Sequence, residues 1–245
     1  MCLHVNEILT TQRLEQHYGD CIVELSIKYF RNELPLVIES GSMDSCLHSG
    51  DKYLNYTDII MQRINEEMNH HIISVSCADV TNHIVAQQFD TYETARGLVN
   101  IVFLVPQGSH KLQFFWVVRL LLEIVFKIKN IEKLVILFTC FGKNRNSTLE
   151  AADIFSMVMN MFHGRNTLII IPRSFQIDRP SLDILNWIPE DEKDPCFLDI
   201  DTVLTLDTWI SKEKGFLQNE YLFPQKKIRN AEKCEVNVGV IDTIS

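Results

Sequence analysis

The sequence predicts an α/β fold: a three-layer, mainly parallel sheet with helices on both faces. Three observations carry this. Five short apolar runs occupy residues 34–39, 71–77, 100–105, 133–139 and 167–171. Segments with apolar residues at helical spacing separate most of them. The composition, 46% hydrophobic and 22% charged over 245 residues, is that of a chain able to bury a core.

The elements follow in order. Residues 21–30 place Ile22, Leu25, Tyr29 and Phe30 on one side of a helix. Residues 34–39 (LPLVIE), bounded by Asn32 and Gly41, read as a buried strand. Residues 41–50 are a Ser/Gly/Asp-rich loop. Residues 56–68 are an amphipathic helix with Ile59, Ile60, Ile64 and Met68 at helical spacing, capped by Thr57 or Asp58. Residues 71–77 form the second strand, and 100–105 the third, stopped at Pro106. Residues 112–128 are a long helix, and 133–139 the fourth strand. Residues 148–162 are helical, with Leu149, Ala152, Phe155, Val158, Met159 and Phe162 as the apolar side. Residues 167–171 are the fifth strand, ended by Pro172. Strands joined through helices imply right-handed parallel crossovers.

The helix at 112–128 is apolar nearly all round, apart from a stripe with Arg119 and Glu123. Those charges and a length at the lower limit for a bilayer favour a buried helix of a water-soluble fold over a membrane span. A helix of this kind needs a second partner, either another helix of the chain or another subunit.

After residue 177 the composition changes. Residues 178–207 hold nine acids and two bases, whereas residues 211–233 hold six bases and three acids. Three regions are therefore expected: an α/β amino-terminal domain at 1–189, an acidic-to-basic connecting segment at 190–233, and a strand-forming tail at 234–245. In that tail Val236, Val238 and Val240 alternate with polar or small residues.

Motifs for catalysis are missing. The net charge of −9 removes a global basic footprint for nucleic acid. There is no glycine-rich phosphate cradle; Gly41, Gly108 and Gly142 stand alone. His70 and His71 lack the partners of a metal motif, and the adjacent Glu66 and Glu67 point in different directions on a helix. Asp199 and Asp201 share a face if 197–206 is a strand, most simply a solvated one. No nucleophile elbow is present. Cys77 and Cys140 fall at strand C-termini, where open α/β sheets hold ligands, but read as buried inert thiols. No CxxC pair occurs among the seven cysteines. The first residues lack the basic and apolar regions of a signal peptide, so the chain is expected to be cytosolic or to begin upstream. No catalytic, cofactor-binding or metal-binding residue is assigned.

One signature stands near the C-terminus. Leu222-Phe223-Pro224 and Lys226 lead through Asn230 to Cys234 and the alternating Val236 and Val238. This resembles the junction of arthropod chemosensory ionotropic receptors, divergent relatives of the ionotropic glutamate receptors. In that family a Leu-Phe-Pro-x-Lys segment leads to the strand that opens the bilobed ligand-binding domain. Lys233 stands where the family commonly has Gly. The resemblance implies that residues 1–189 are a periplasmic-binding-protein-like α/β lobe. That lobe would be the extracellular N-terminal region of a ligand-gated ion channel subunit. Such a region is non-enzymatic and supports subunit assembly and the ligand-binding domain. Its partners would be other receptor subunits, and it would reach the cell membrane only through sequence beyond Ser245. Ligand-contacting and pore residues would also lie there, so the resemblance implies a fragment or a truncated product.

An extracellular location would give two further features meaning. The sequons at Asn55 and Asn146 become glycosylation sites. Cys46 and Cys77, which follow the ends of consecutive strands, become the first candidate disulfide pair. Two alternatives stay open: a small-molecule-binding module with ligand near Ser40, Cys77, Gln107 and Cys140, and a cytosolic α/β enzyme without a familiar motif.

Overall fold

A computed structural model of the chain describes residues 8–40, 56–67, 72–75, 98–105, 117–118, 131–138, 147–162, 166–174, 181–187, 200 and 202–224. The helices are α1 (Ile8–Tyr29), α2 (Tyr56–Glu67) and α3 (Ser147–Phe162). The first five strands are β1 (Leu36–Ser40), β2 (Ile72–Val75), β3 (Val99–Val105), β4 (Ile131–Phe138) and β5 (Thr167–Ser174). Three more follow: β6 (Ser181–Trp187), β7 (Val203–Ser211) and the two-residue β8 (Gly215–Phe216). All join one curled sheet in the order β2-β1-β3-β4-β5-β6-β7-β8.

The five strands expected from the apolar runs are adjacent and parallel. Strand β3 shows why the runs were readable: each of its seven residues is buried, so it carries apolar side chains on both faces. The sheet is nevertheless mixed rather than mainly parallel. The pairs β5–β6, β6–β7 and β7–β8 are antiparallel. Strand β5 also continues past Pro172. Its pairing to β4 ends at Ile170, so Pro172 is laddered only to β6, and a sheet tolerates proline where one side is unpaired.

Helices cover both faces. On one side, Tyr18, Cys21, Ile22 and Leu25 of α1 and Ile60 and Ile64 of α2 pack on Val102, Leu104, Val135, Leu137, Leu168 and Ile170. On the other, Ala151, Ile154, Phe155, Val158 and Met159 of α3 pack on Ile101, Phe103, Leu134, Ile136 and Ile169. The helix expected at 21–30 extends back to Ile8. Its early residues include Thr10, Thr11, Gln12, Arg13, Glu15 and Gln16, which give no apolar stripe to read. Gly19 lets α1 approach α2 closely: a Cβ there would stand 3.2 Å from Arg63 Cγ. Beside it, Arg63 Nε donates to Asp20 Oδ1 at 3.0 Å.

The boundary expected near Pro189 does not divide this sheet. Of the segment 190–233 expected as a connection, residues 203–216 supply β7 and β8. Trp209 is fully buried in the core shared with α1. The acidic composition masked β7, whose buried residues are Asp207, Thr208 and Trp209, so that one large apolar side chain marks it. Residues 234–245, with Val236, Val238 and Val240, lie outside the described residues. So does most of the helix expected at 112–128, including Phe115, Leu122 and Phe126; its Val117 is buried on the α3 side. Among the described residues, no helix is long and apolar enough to cross a membrane.

Candidate functional site at the C-terminal junction

The resemblance rests on residues 222–234, and the structure describes the chain up to Pro224. That junction is built from β7 outward. Gly215, just after the β7–β8 turn, has φ 65°, and a Cβ there would stand 2.8 Å from Glu24 Oε1. Glycine is the residue that suits both the left-handed backbone and the close approach. The chain then makes one more backbone–backbone hydrogen bond to β7, Leu217 N to Thr208 O at 2.9 Å, and crosses toward α1.

Asp207 organises this crossing. Its carboxylate is almost fully buried. Oδ1 accepts from Thr208 N at 2.7 Å and Gln218 N at 2.9 Å, and Oδ2 accepts from Glu220 N at 3.2 Å. Three backbone donors offset the cost of removing the carboxylate from water. Between them Asn219 adopts φ 55°, a conformation asparagine tolerates better than most residues. Its Oδ1 accepts from Lys28 Nζ at 3.2 Å.

The carbonyls of the crossing are held from the other side. Tyr29 Oη donates to Glu220 O at 2.9 Å, and Asn186 Nδ2 donates to Leu222 O at 3.0 Å. Leu222 and Phe223 are buried in the core under α1. The Tyr29 ring meets Tyr221 and Phe223 edge-on, with centroids 5.7 and 5.6 Å away. Lys133 Nζ lies 5.6 Å from the Phe223 centroid. Burial pushes the Tyr29 phenol up against the opposing pull of a hydrogen bond with the Leu222 backbone, and nearby Asp207, Tyr221 and Glu24 add to the rise. Trp209 ties the same helix to β7: its Nε1 donates to Glu24 Oε2 at 2.7 Å, and its ring meets His17 edge-on at 4.4 Å.

Of the motif residues, Leu222 and Phe223 are therefore core residues and Pro224 is partly buried. Lys226, Asn230 and Cys234 lie outside the described residues, as do Asn55, Asn146, Cys46 and Cys77. Among the described residues the free cysteine is Cys21, whose thiol is pushed up by burial and by the carboxylates of Glu24 and Asp20. It is an inert core thiol. Ser40 ends β1, while Cys77, Gln107 and Cys140 are outside the described residues, together with His70, His71, Asp199 and Asp201.

Glu66 and Glu67 are ion-pair residues. Arg63 Nη1 reaches Glu66 at 3.0 Å, and Arg63 Nη2 reaches Glu67 at 3.8 Å. Hydrogen bonds from Gln62 and Arg63 hold Glu66 below the usual carboxylate range, and the Lys212 ammonium does so for Glu67. No group of three His, Cys, Asp or Glu side chains suited to a metal occurs among the described residues. Among the described residues, the arrangement at the junction holds a chain segment through its backbone groups. Asp207, Asn186 and Tyr29 went unread in the sequence. The available signal was one acid, Asp207, inside the otherwise uncharged strand β7.

The parallel half has its own feature. In the order β2-β1-β3 the direction of winding reverses between β1 and β3. Open α/β sheets place ligands at such a point, beyond the strand C-termini, here Ser40 and Val105.

No protein-family model matches the chain, and no curated protein matches it.

Proposed function

We propose that the chain is the extracellular N-terminal region of a chemosensory ligand-gated ion channel subunit. It is non-enzymatic, and it supports subunit assembly and the ligand-binding domain. In this reading residues up to 189 belong to a periplasmic-binding-protein-like lobe. The observation that supports the reading is the Leu222-Phe223-Pro224 segment. Its sequence resembles the family's junction, and its first two side chains are seated in the core beneath α1. A junction that hands an α/β lobe over to a following domain needs such an anchor. Partner subunits, glycans at Asn55 and Asn146, and a Cys46–Cys77 bridge belong to the same reading.

Sequencing the transcript beyond codon 245 tests it. An open frame that runs on through a bilobed domain with three apolar spans is the expected result. A stop codon directly after Ser245 overturns it. A second reading, a small-molecule-binding module, is favoured by the winding reversal between β1 and β3. It predicts that substitution at Ser40 weakens binding of whatever small molecule co-purifies with the chain, whereas the receptor reading predicts no such dependence.

A further inference from the structure

We infer that residues 217–223 form a strap locked to α1 and β7, so that the chain passes Pro224 in an orientation fixed by the sheet. The receptor reading is not needed for this. It concerns only how the described fold hands the chain on to whatever follows.

The lock works from two sides. The N–H groups of Gln218 and Glu220 point into the buried Asp207 carboxylate, at 2.9 and 3.2 Å. The carbonyls of Glu220 and Leu222 accept from Tyr29 and Asn186, at 2.9 and 3.0 Å. Alternate residues are thus tied by backbone donors to β7 and by backbone acceptors to α1 and β6. Two of these ties, Asp207 and Asn186, are made by buried side chains that have their own backbone constraints. Asp207 also holds Thr208 N, and Asn186 Oδ1 accepts from Trp187 N at 2.8 Å. Neither side chain can swing away without losing a second hydrogen bond. Beyond the polar ties, Leu222 and Phe223 close the strap into the α1 core. A segment held through backbone and side chains together moves with its support. With ties to α1, β6 and β7 at once, the exit of the chain keeps its orientation relative to the sheet.

The test is site-resolved hydrogen exchange on residues 1–245, with the amides of Ile136 and Ile169 as internal references in the parallel half. In the wild type the amides of Gln218 and Glu220 exchange much more slowly than unstructured amides. Asp207→Asn speeds their exchange by about tenfold or more, because a charged acceptor is lost, and leaves Ile136 and Ile169 unchanged. Wild-type exchange at the unstructured rate overturns the lock, and so does an unchanged rate in D207N. If D207N unfolds the whole chain, Tyr29→Phe decides. Faster exchange at the Leu222 amide, whose backbone meets the Tyr29 phenol, with steady references supports the lock, and an unaltered rate overturns it.

Discussion

The two halves of the sheet are held in different ways. In the parallel half, β1 to β5, stability comes from apolar side chains on both strand faces, pressed between α1 and α2 on one side and α3 on the other. In the antiparallel half, β6 to β8, polar side chains share the work. Asp207 gathers three backbone N–H groups, and Asn186 holds the Leu222 carbonyl. Thr208 Oγ1 donates to Asp183 Oδ1 at 2.9 Å. The reason is exposure. Strand β7 begins with Val203 and Leu204 at an edge where Leu204 is 41% exposed, so area alone cannot fix it. The comparison teaches that burial is enough to place a central strand, while an outer one needs directional bonds to partners far away in sequence.

The largest effect that bears on this contrast is expected from Trp209→Ala. Trp209 is fully buried and links β7 to α1 through Glu24, 185 residues earlier. The loss is about 3–5 kcal/mol, and Phe103→Ala in the parallel half costs about the same. Urea unfolding followed by circular dichroism checks whether both variants lower one common transition. Two separated transitions in W209A break the idea that the halves form one cooperative unit.

Next comes Gly215→Ala, which places a Cβ at positive φ and against the Glu24 carboxylate. A loss of about 1–2 kcal/mol is expected in the same unfolding experiment, although only a methyl group is added. A neutral result would mean that the β7–β8 turn is not tied to α1.

Asn100 sharpens the contrast from the other side. It is fully buried near the start of β3, and its side-chain amide makes no hydrogen bond among the described residues. Asn100→Val therefore raises stability by about 1 kcal/mol, since a polar group with no partner is exchanged for an apolar one. A loss of stability would show that the parallel half also depends on a polar contact there.

The smallest effect is at the surface. Glu67 of α2 pairs with Lys212 in the β7–β8 turn, which holds its folded-state pKa below the ordinary value. A depressed carboxylate adds stability above the unfolded pKa of about 4.3 and loses it as pH falls through the lower folded value. An NMR titration should place the Glu67 midpoint below that of a free glutamate, and Lys212→Ala should bring it back up. A normal midpoint in the wild type would mean that this link between the halves is absent in solution.

These two kinds of support also explain what was readable. The apolar runs at 34–39, 100–105 and 133–139 correspond to β1, β3 and β4 because a strand buried on both faces is apolar over most of its length. Strand β6 carries the weaker signal of alternation, with Leu182 and Ile184 buried and Ser181 and Asp183 only partly so. The surrounding acids hid it. At the junction, Leu222 and Phe223 were picked out by resemblance, whereas Asp207 had only the weak mark of a lone acid in an uncharged strand and Tyr29 had none.

By itself the sequence determined the α/β class, the position of five strands and, apart from the first turns of α1, the three helices seen here. Each follows from local apolar runs or helical spacing, which are properties of neighbours along the chain. Tertiary structure alone decided that β6 to β8 extend the sheet, that Glu24 meets Trp209, and that Asp207 and Tyr29 clasp residues 218–222 from opposite sides. Those are meetings between residues up to 191 positions apart. A hydrogen bond between such groups depends on distance and angle in the folded chain, and no pattern of neighbouring residues encodes either.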